Sequence, residues 1–226
     1  MGTGNAEAKD VLKRALAPLF NSPGQKPKSA DRLKIARVLD RDYHRVPVLG
    51  PPQIDQTAST EELDVVWSRH TIESLFLDVS CLSAWLLSAF SGHAKAPSEA
   101  DLTLWVTEAI AAADLDPALC KDAAIHLAGA WLRQKPLGQA SAEGALVTAH
   151  RDAEAAVKKE PGVWQQGHDR ATFILGRVRD KVELPLQDRV PSTIDNLVRR
   201  SKAGGVIAHS LLIPAEVRAV LDFMVQ

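Results

Sequence analysis

The sequence has one tyrosine, two cysteines and two methionines in 226 residues, and aromatic side chains make up 5% of it. Cys81 and Cys120 lie far apart, each inside an apolar helical pattern, and neither has zinc-ligand spacing; both read as small buried hydrophobes. No Ser/His/Asp or Cys/His arrangement is legible, which sets nucleophilic hydrolase chemistry aside. No glycine-rich loop ends in Gly-Lys-Ser or Gly-Lys-Thr, so the chain is not expected to hydrolyse ATP by itself. The longest uncharged apolar run, Val79–Ser91, has 13 residues and is too short for the ~20 that a membrane span needs. It reads as a core helix. The first residues, Met1-Gly-Thr-Gly-Asn-Ala-Glu, lack the basic-then-apolar pattern of a signal peptide, and a cytoplasmic location is the expectation.

What is present is a globular composition: 46% apolar, 24% charged and a net charge of −1, enough for one large domain or two small ones. The charge is unevenly spread. Lys26, Lys28, Arg32, Lys34, Arg37, Arg41 and Arg45 face only three aspartates between Lys26 and Arg45, while six acids accompany Arg69 alone from Ile54 to Asp78. From Asp169 to Lys202 the chain is basic again. Such flanks suit a phosphate-tracking surface if the acids between them bind cations; otherwise they are ordinary solvated faces.

The stretch Leu33–His44 organises the rest. Ile35, Val38 and Leu39 sit between polar residues and ahead of Pro47 and Gly50-Pro51-Pro52, the pattern of a short buried strand that ends in Asp40-Arg41-Asp42. Strand alternation would project Asp40 and Asp42 together and Arg41 away, a natural seat for a hard divalent cation. Asp-x-Asp after a strand is equally a common solvated turn.

Beyond Gly50 the pattern is mostly helical. A polar loop is expected from Pro51 to Thr60, a short strand at Val65-Val66-Trp67, and a helix from near His70 to about Phe90. Ser98 and Asp101 resemble a capping box opening a helix through Ala113. Asp116-Pro117 opens another, carrying Ile125, Leu127, Trp131 and Leu132 and stopping before Pro136. Ser141–Glu160 is closed by Pro161-Gly162; further helices are expected at Asp169–Lys181, at Thr193–Lys202 and from Pro214 to Met224.

Three segments together resemble the Toprim domain, and within it the nucleases of the overcoming-lysogenization-defect (OLD) group. The segment Gly2-Thr-Gly-Asn-Ala-Glu-Ala-Lys-Asp-Val-Leu-Lys-Arg-Ala-Leu resembles the helix that follows the family's first strand. Val38-Leu39-Asp40-Arg41-Asp42-Tyr43 resembles its Asp-x-Asp strand, and Trp67-Ser-Arg-His-Thr-Ile-Glu-Ser-Leu-Phe-Leu77 its Glu-Ile-Glu-Asn-Tyr-Leu segment. The resemblance covers about residues 2–78 and implies an α/β fold: a Toprim-like core over 1–78, incomplete at its N-terminus, and an α-helical extension over 79–226. Met1 stands where the family's first-strand glutamate would fall, Asn5 where many members place a second acid, and Thr71 in place of the first glutamate of the later segment.

The resemblance implies a Mg²⁺- or Mn²⁺-dependent endonuclease, or a subunit of one, acting on nucleic acid, foremost DNA, in defence against phage. An ATPase of the ATP-binding-cassette type is the implied partner. Asp40, Asp42 and Glu73 match the family's metal ligands, and two such ions about 4 Å apart can clamp both oxygens of an in-line phosphoryl transfer. Without a Gly-Lys pair, Lys181, Arg199, Arg200 and Lys202 are candidates for the family's phosphate-facing lysine by position only, and Arg41 and Arg45 flank the acids as further nucleic-acid contacts. His44 and His70 border the expected site; His126, inside an apolar helix, reads as a core or interface residue. The five tryptophans read as core or interface anchors. The alternative is a catalytically degenerate module that docks on an ATPase or other partner. A primase- or topoisomerase-like relative is disfavoured, because Tyr43 is the only tyrosine and has no catalytic context.

Overall fold

A computed structural model describes residues 32–57, 60–90, 93, 95–134, 142–182, 193, 194, 196, 197, 199 and 213–225. It is mixed α/β, with a small four-stranded sheet followed by a mostly helical region. The expected helix near Gly2 lies outside the described residues, as does much of the one expected at Thr193–Lys202. Two compact units interleave along the chain: the described residues within 1–39, 48–66 and 215–226 form one, those within 40–47 and 67–214 the other.

In the first unit the strands are β1 (Leu33–Leu39), β2 (Val48–Leu49), β3 (Gln53–Asp55) and β4 (Thr60–Val66). β4 is central. β1 pairs with it in parallel, from Leu33 opposite Thr60 to Leu39 opposite Val66, while β2 and β3 pair antiparallel with its two ends. Gly50-Pro51-Pro52 separates β2 from β3, since proline has no N–H to continue a ladder. The expected polar loop is therefore partly strand. β1 itself is half-buried with Val38 exposed, not the buried strand that its apolar run predicts, because it pairs on one side only among the described strands. Arg37 and Asp64, directly opposite in register, form a two-pronged ion pair at 3.0 and 2.8 Å. Both are about a third or more exposed, so the pair adds at most ~1 kcal/mol. The C-terminal helix of this unit, Ala215–Val225, meets β1 through Lys34, whose Nζ donates to the Phe223 carbonyl at 3.1 Å.

The second unit is built from helices α1 (Ile72–Leu75), α2 (Val79–Ala89), α3 (Glu99–Asp114), α4 (Pro117–Gln134), α5 (Ala142–Lys159), α6 (Pro161–Trp164) and α7 (Gly167–Lys181). The helix expected from His70 to Phe90 is two helices. Asp78 accepts from the Cys81 N–H at 2.8 Å and starts α2 afresh after Phe76-Leu77. The Ser98 cap is as expected: its Oγ accepts from the Asp101 N–H at 3.1 Å. So is Asp116, which accepts from Ala118 and Leu119 N–H, both at 3.0 Å. One core joins Leu82, Leu86 and Phe90 of the α2 region, the Leu102, Val106, Ala109, Ala113 stripe of α3, and Ile174, Leu175 and Val178 of α7. A second joins Ala123, Ala124, Leu127 and Ala128 of α4 to Ala153 and Val157 of α5. No helix among the described residues is long and apolar enough to cross a membrane.

The first residue of α7, Gly167, sits against α1. A Cβ there would meet Thr71 Oγ1, Ser74 Oγ at 2.5 Å and the Ser74 backbone nitrogen at 3.1 Å. The hydroxyls could turn away but the backbone amide could not. Gly167→Ala is expected to cost about 1–3 kcal/mol by overpacking. Urea titration of the variant checks this, and an unchanged midpoint would show that α1 and α7 can part freely.

Candidate metal and phosphate site

Asp40 directly follows the last residue of β1, but Asp42 does not continue the strand. It lies in a turn with φ of +50°, a left-handed conformation that Asp tolerates better than most residues. Strand alternation is therefore not what brings the two aspartates together. The turn is tied from both sides: Asp42 N–H donates to the His70 carbonyl at 3.1 Å, and Arg45 N–H donates to the Arg41 carbonyl at 3.1 Å. The Arg45 guanidinium donates to the Asp40 carbonyl at 2.7 Å and lies 3.7 Å from the Asp42 carboxylate.

The third acid comes from the segment after β4. Asp40 Oδ1 accepts from the Ile72 N–H at 3.3 Å, capping α1 in place of Thr71, whose side chain makes no cap. Glu73 is in the first turn of that helix. Asp40 is thus tied to the helix that carries Glu73, and Asp42 to His70, three residues before Glu73. Burial raises the Asp40 pKa first; the Ile72 hydrogen bond opposes this, and the negative charges of Asp42 and Glu73 add to the rise. Among the described residues, no three His, Cys, Asp or Glu side chains stand together as a metal-holding group. Mg²⁺ does not require one, because it keeps several waters and takes one or two carboxylates. The donor chemistry of the crowded pair fits such an ion.

Other residues here are less visible in the sequence. His70 is buried, at 6% exposure, and neither ring nitrogen has a hydrogen-bond partner. Its pKa is lowered, by burial before anything else, against the pull of Asp42, Asp40 and Glu73. Tyr43 packs 4.4 Å from the His70 ring and stacks at 5.6 Å on His126, and its hydroxyl is pushed up to about 12 by burial, then by Asp169, Asp122 and Asp42. His126, expected as a core or interface residue, is exposed on α4 and so is not in the core; Ile125 beside it is also exposed. The Asp122 and His126 spacing, one helical turn on one face, is the signal that could have marked this side of α4.

The basic candidates fall into different places. Arg41 donates to the Ser68 carbonyl at 2.7 Å, stacks 4.4 Å over Trp164, and has its pKa lowered by burial with Glu160 opposing. Arg41 and Arg45 therefore hold the turn through backbone carbonyls. His44 is exposed and its carbonyl accepts from Gln134 Nε2 at 3.4 Å. Lys181 pairs with Glu108 at 3.5 Å on the surface of α3 and α7. Arg199 is exposed; Arg200 and Lys202 lie outside the described residues. Of the tryptophans, Trp67 and Trp85 are buried, the anchors their apolar surroundings predict. No family model, no curated protein and no solved structure matches the chain, so the site stands on its own geometry.

Proposed function

We propose that this chain is a Mg²⁺- or Mn²⁺-dependent nuclease, or the nuclease subunit of an assembly with an ATPase of the ATP-binding-cassette type, cutting DNA in defence against phage. The observation that carries the reading is that Asp40 caps the short helix whose first turn holds Glu73, while the turn that carries Asp42 is tied to His70 by a backbone hydrogen bond; a divalent cation would offset the negative charge of these acids. The Toprim resemblance of the same three positions supplies the reaction class and the partner. When bound, the cation would polarise a phosphodiester oxygen and lower the pKa of a bound water. Asp40 and Asp42 would hold it, with Glu73 as the third carboxylate. Arg45 keeps the turn in place through the Asp40 carbonyl, and Arg41 does so through Ser68.

A second reading, a non-catalytic docking module, is favoured by the lack of three metal-holding side chains grouped together among the described residues. Nicking of supercoiled plasmid separates the two. The nuclease reading expects relaxed circles with Mg²⁺ or Mn²⁺ and none with excess EDTA. Intact plasmid under both cations, with and without an ATP-binding-cassette ATPase, would leave the docking module.

A further inference from the structure

Where α3 ends, α4 begins and α5 nears its end, the second unit holds a cavity of about 350 Å³ that shares no residue with the acids of the proposed site. Its volume is within the ~300–1,000 Å³ of small-molecule sites, which combine an apolar lining with a few polar groups. The apolar lining is aliphatic: Ala124 and Val157, both almost fully buried, belong to the core between α4 and α5, and Leu115 and Pro117 border the same space. The rest of the lining carries charge of both signs. Lys121 and Lys158 have no ion pair or hydrogen bond among the described residues. Asp114 is already engaged, since Arg170 meets it at 2.7 Å. Glu154 lies 3.5 Å from the His150 ring through its Oε1, and its Oε2 has no partner among the described residues. We infer that this cavity binds a free aliphatic α-amino acid, with Lys121 and Lys158 on its carboxylate and Glu154 on its ammonium group.

The lining selects this class over its neighbours. A carboxylate is held best by cations that no acid already neutralises, and the two lysines are such cations. An ammonium group needs a free acceptor, which Glu154 has and Asp114, tied to Arg170, does not. The helices add a field of the same sense. Pro117 is the first residue of α4 and Lys158 is in the last turn of α5, so the positive end of one macrodipole and the negative end of the other border the cavity. A molecule with both charges gains from both ends, whereas a simple anion or cation gains at one and loses at the other. Among the described residues the lining holds no aromatic side chain, so an aliphatic body suits it better than a base that needs a stacking partner.

Equilibrium dialysis of the whole chain against radiolabelled L-leucine tests the assignment. Saturable binding is expected, competed by unlabelled L-leucine but neither by N-acetyl-L-leucine, which lacks the ammonium group, nor by L-leucinamide, which lacks the carboxylate. Lys121→Glu and Glu154→Lys should each weaken it by at least ~10-fold, the ratio that corresponds to ~1.4 kcal/mol and is near the low end for a hydrogen bond to a charged group. Both side chains are exposed, so the variants are expected to keep the fold, which circular dichroism checks. The half-buried Cys120 in the lining reports the location: bound L-leucine should slow its alkylation by iodoacetamide, while Cys81, buried and with its pKa pushed up to about 12, stays unreactive. No saturable binding overturns the inference. So does binding that both variants retain, binding that leaves Cys120 alkylation unchanged, or competition by the acetylated and amidated compounds equal to that by L-leucine. The nuclease reading is tested separately by nicking and is untouched by any of these results.

Discussion

Asp40→Asn is expected to abolish Mg²⁺-dependent nicking while making the chain more stable. The amide oxygen of asparagine can still accept from the Ile72 N–H, so the cap on α1 survives. What disappears is the negative charge, and with it the desolvation and the repulsion from Asp42 and Glu73 that raise the Asp40 pKa. Activity should fall by at least ~10²-fold, the scale on which one group that stabilises charge in the transition state acts. Opposite signs for stability and activity mark a residue kept for function. Loss of both would mean that Asp40 is a structural cap and nothing more.

The stability half of this prediction has a definite pH dependence. The folded chain binds the Asp40 proton more tightly than the unfolded chain does, because the folded pKa lies above the ordinary value of 3.8. The protonated form therefore contributes stability below that value, and the contribution is lost as pH rises through the folded pKa. Wild type and Asp40→Asn should unfold at nearly the same midpoint in acid, with the variant pulling ahead towards neutral pH. Thermal melts followed by circular dichroism from pH 3 to pH 7 read the gap. A gap that widens in acid instead would contradict the assignment.

Arg170→Ala is expected to produce the largest loss of stability of any single change described for this protein, about 3 kcal/mol. Arg170 of α7 is 2% exposed and meets two partners: Asp114 at the end of α3, at 2.7 Å, and the Oε1 of Gln165. Gln165 is itself fully buried and passes the network on through its Nε2 to the Ala113 carbonyl at 2.8 Å. Truncation would strand a buried amide oxygen and leave a void between helices whose cores are otherwise close-packed. Asp114 limits the damage in part: its side chain is 36% exposed and lines a cavity of about 350 Å³, although the Oδ1 that meets Arg170 is buried. The estimate is accordingly set at the low end for a broken buried pair. Arg170→Lys should fall between, since an ammonium cannot reach both partners as the guanidinium fork does. Urea unfolding checks all three chains, and a loss under ~1 kcal/mol for Arg170→Ala would show that the network carries little of the stability.

Much of the helical region was legible because its signals are local. The Ser98 and Asp116 caps and Pro117 at a helix start each involve residues within a turn of one another, and the structure contains each of these features. The break between α1 and α2 was not read, although Asp78 was there to signal it, because the apolar run through Leu75-Phe76-Leu77 masks the cap. β2 and β3 escaped notice for a different reason. They are two and three residues long, and nothing but pairing with β4 makes them strands.

By itself, then, the sequence determined the fold class and most helix starts from short-range periodicity and capping, and pointed to Asp40 and Asp42 by their spacing and to Glu73 through the resemblance alone. Only the tertiary structure decided how the backbone carries Asp40 and Asp42. Asp42 enters a left-handed turn because a hydrogen bond to His70 and the Arg45 contacts hold it there, and Asp40 turns to the amide of Ile72, 32 residues away. It also decided that His70 is buried beside them without a partner and that Arg170 is enclosed with Gln165. Burial and long-range hydrogen bonds belong to the packed chain, and no window of sequence contains them.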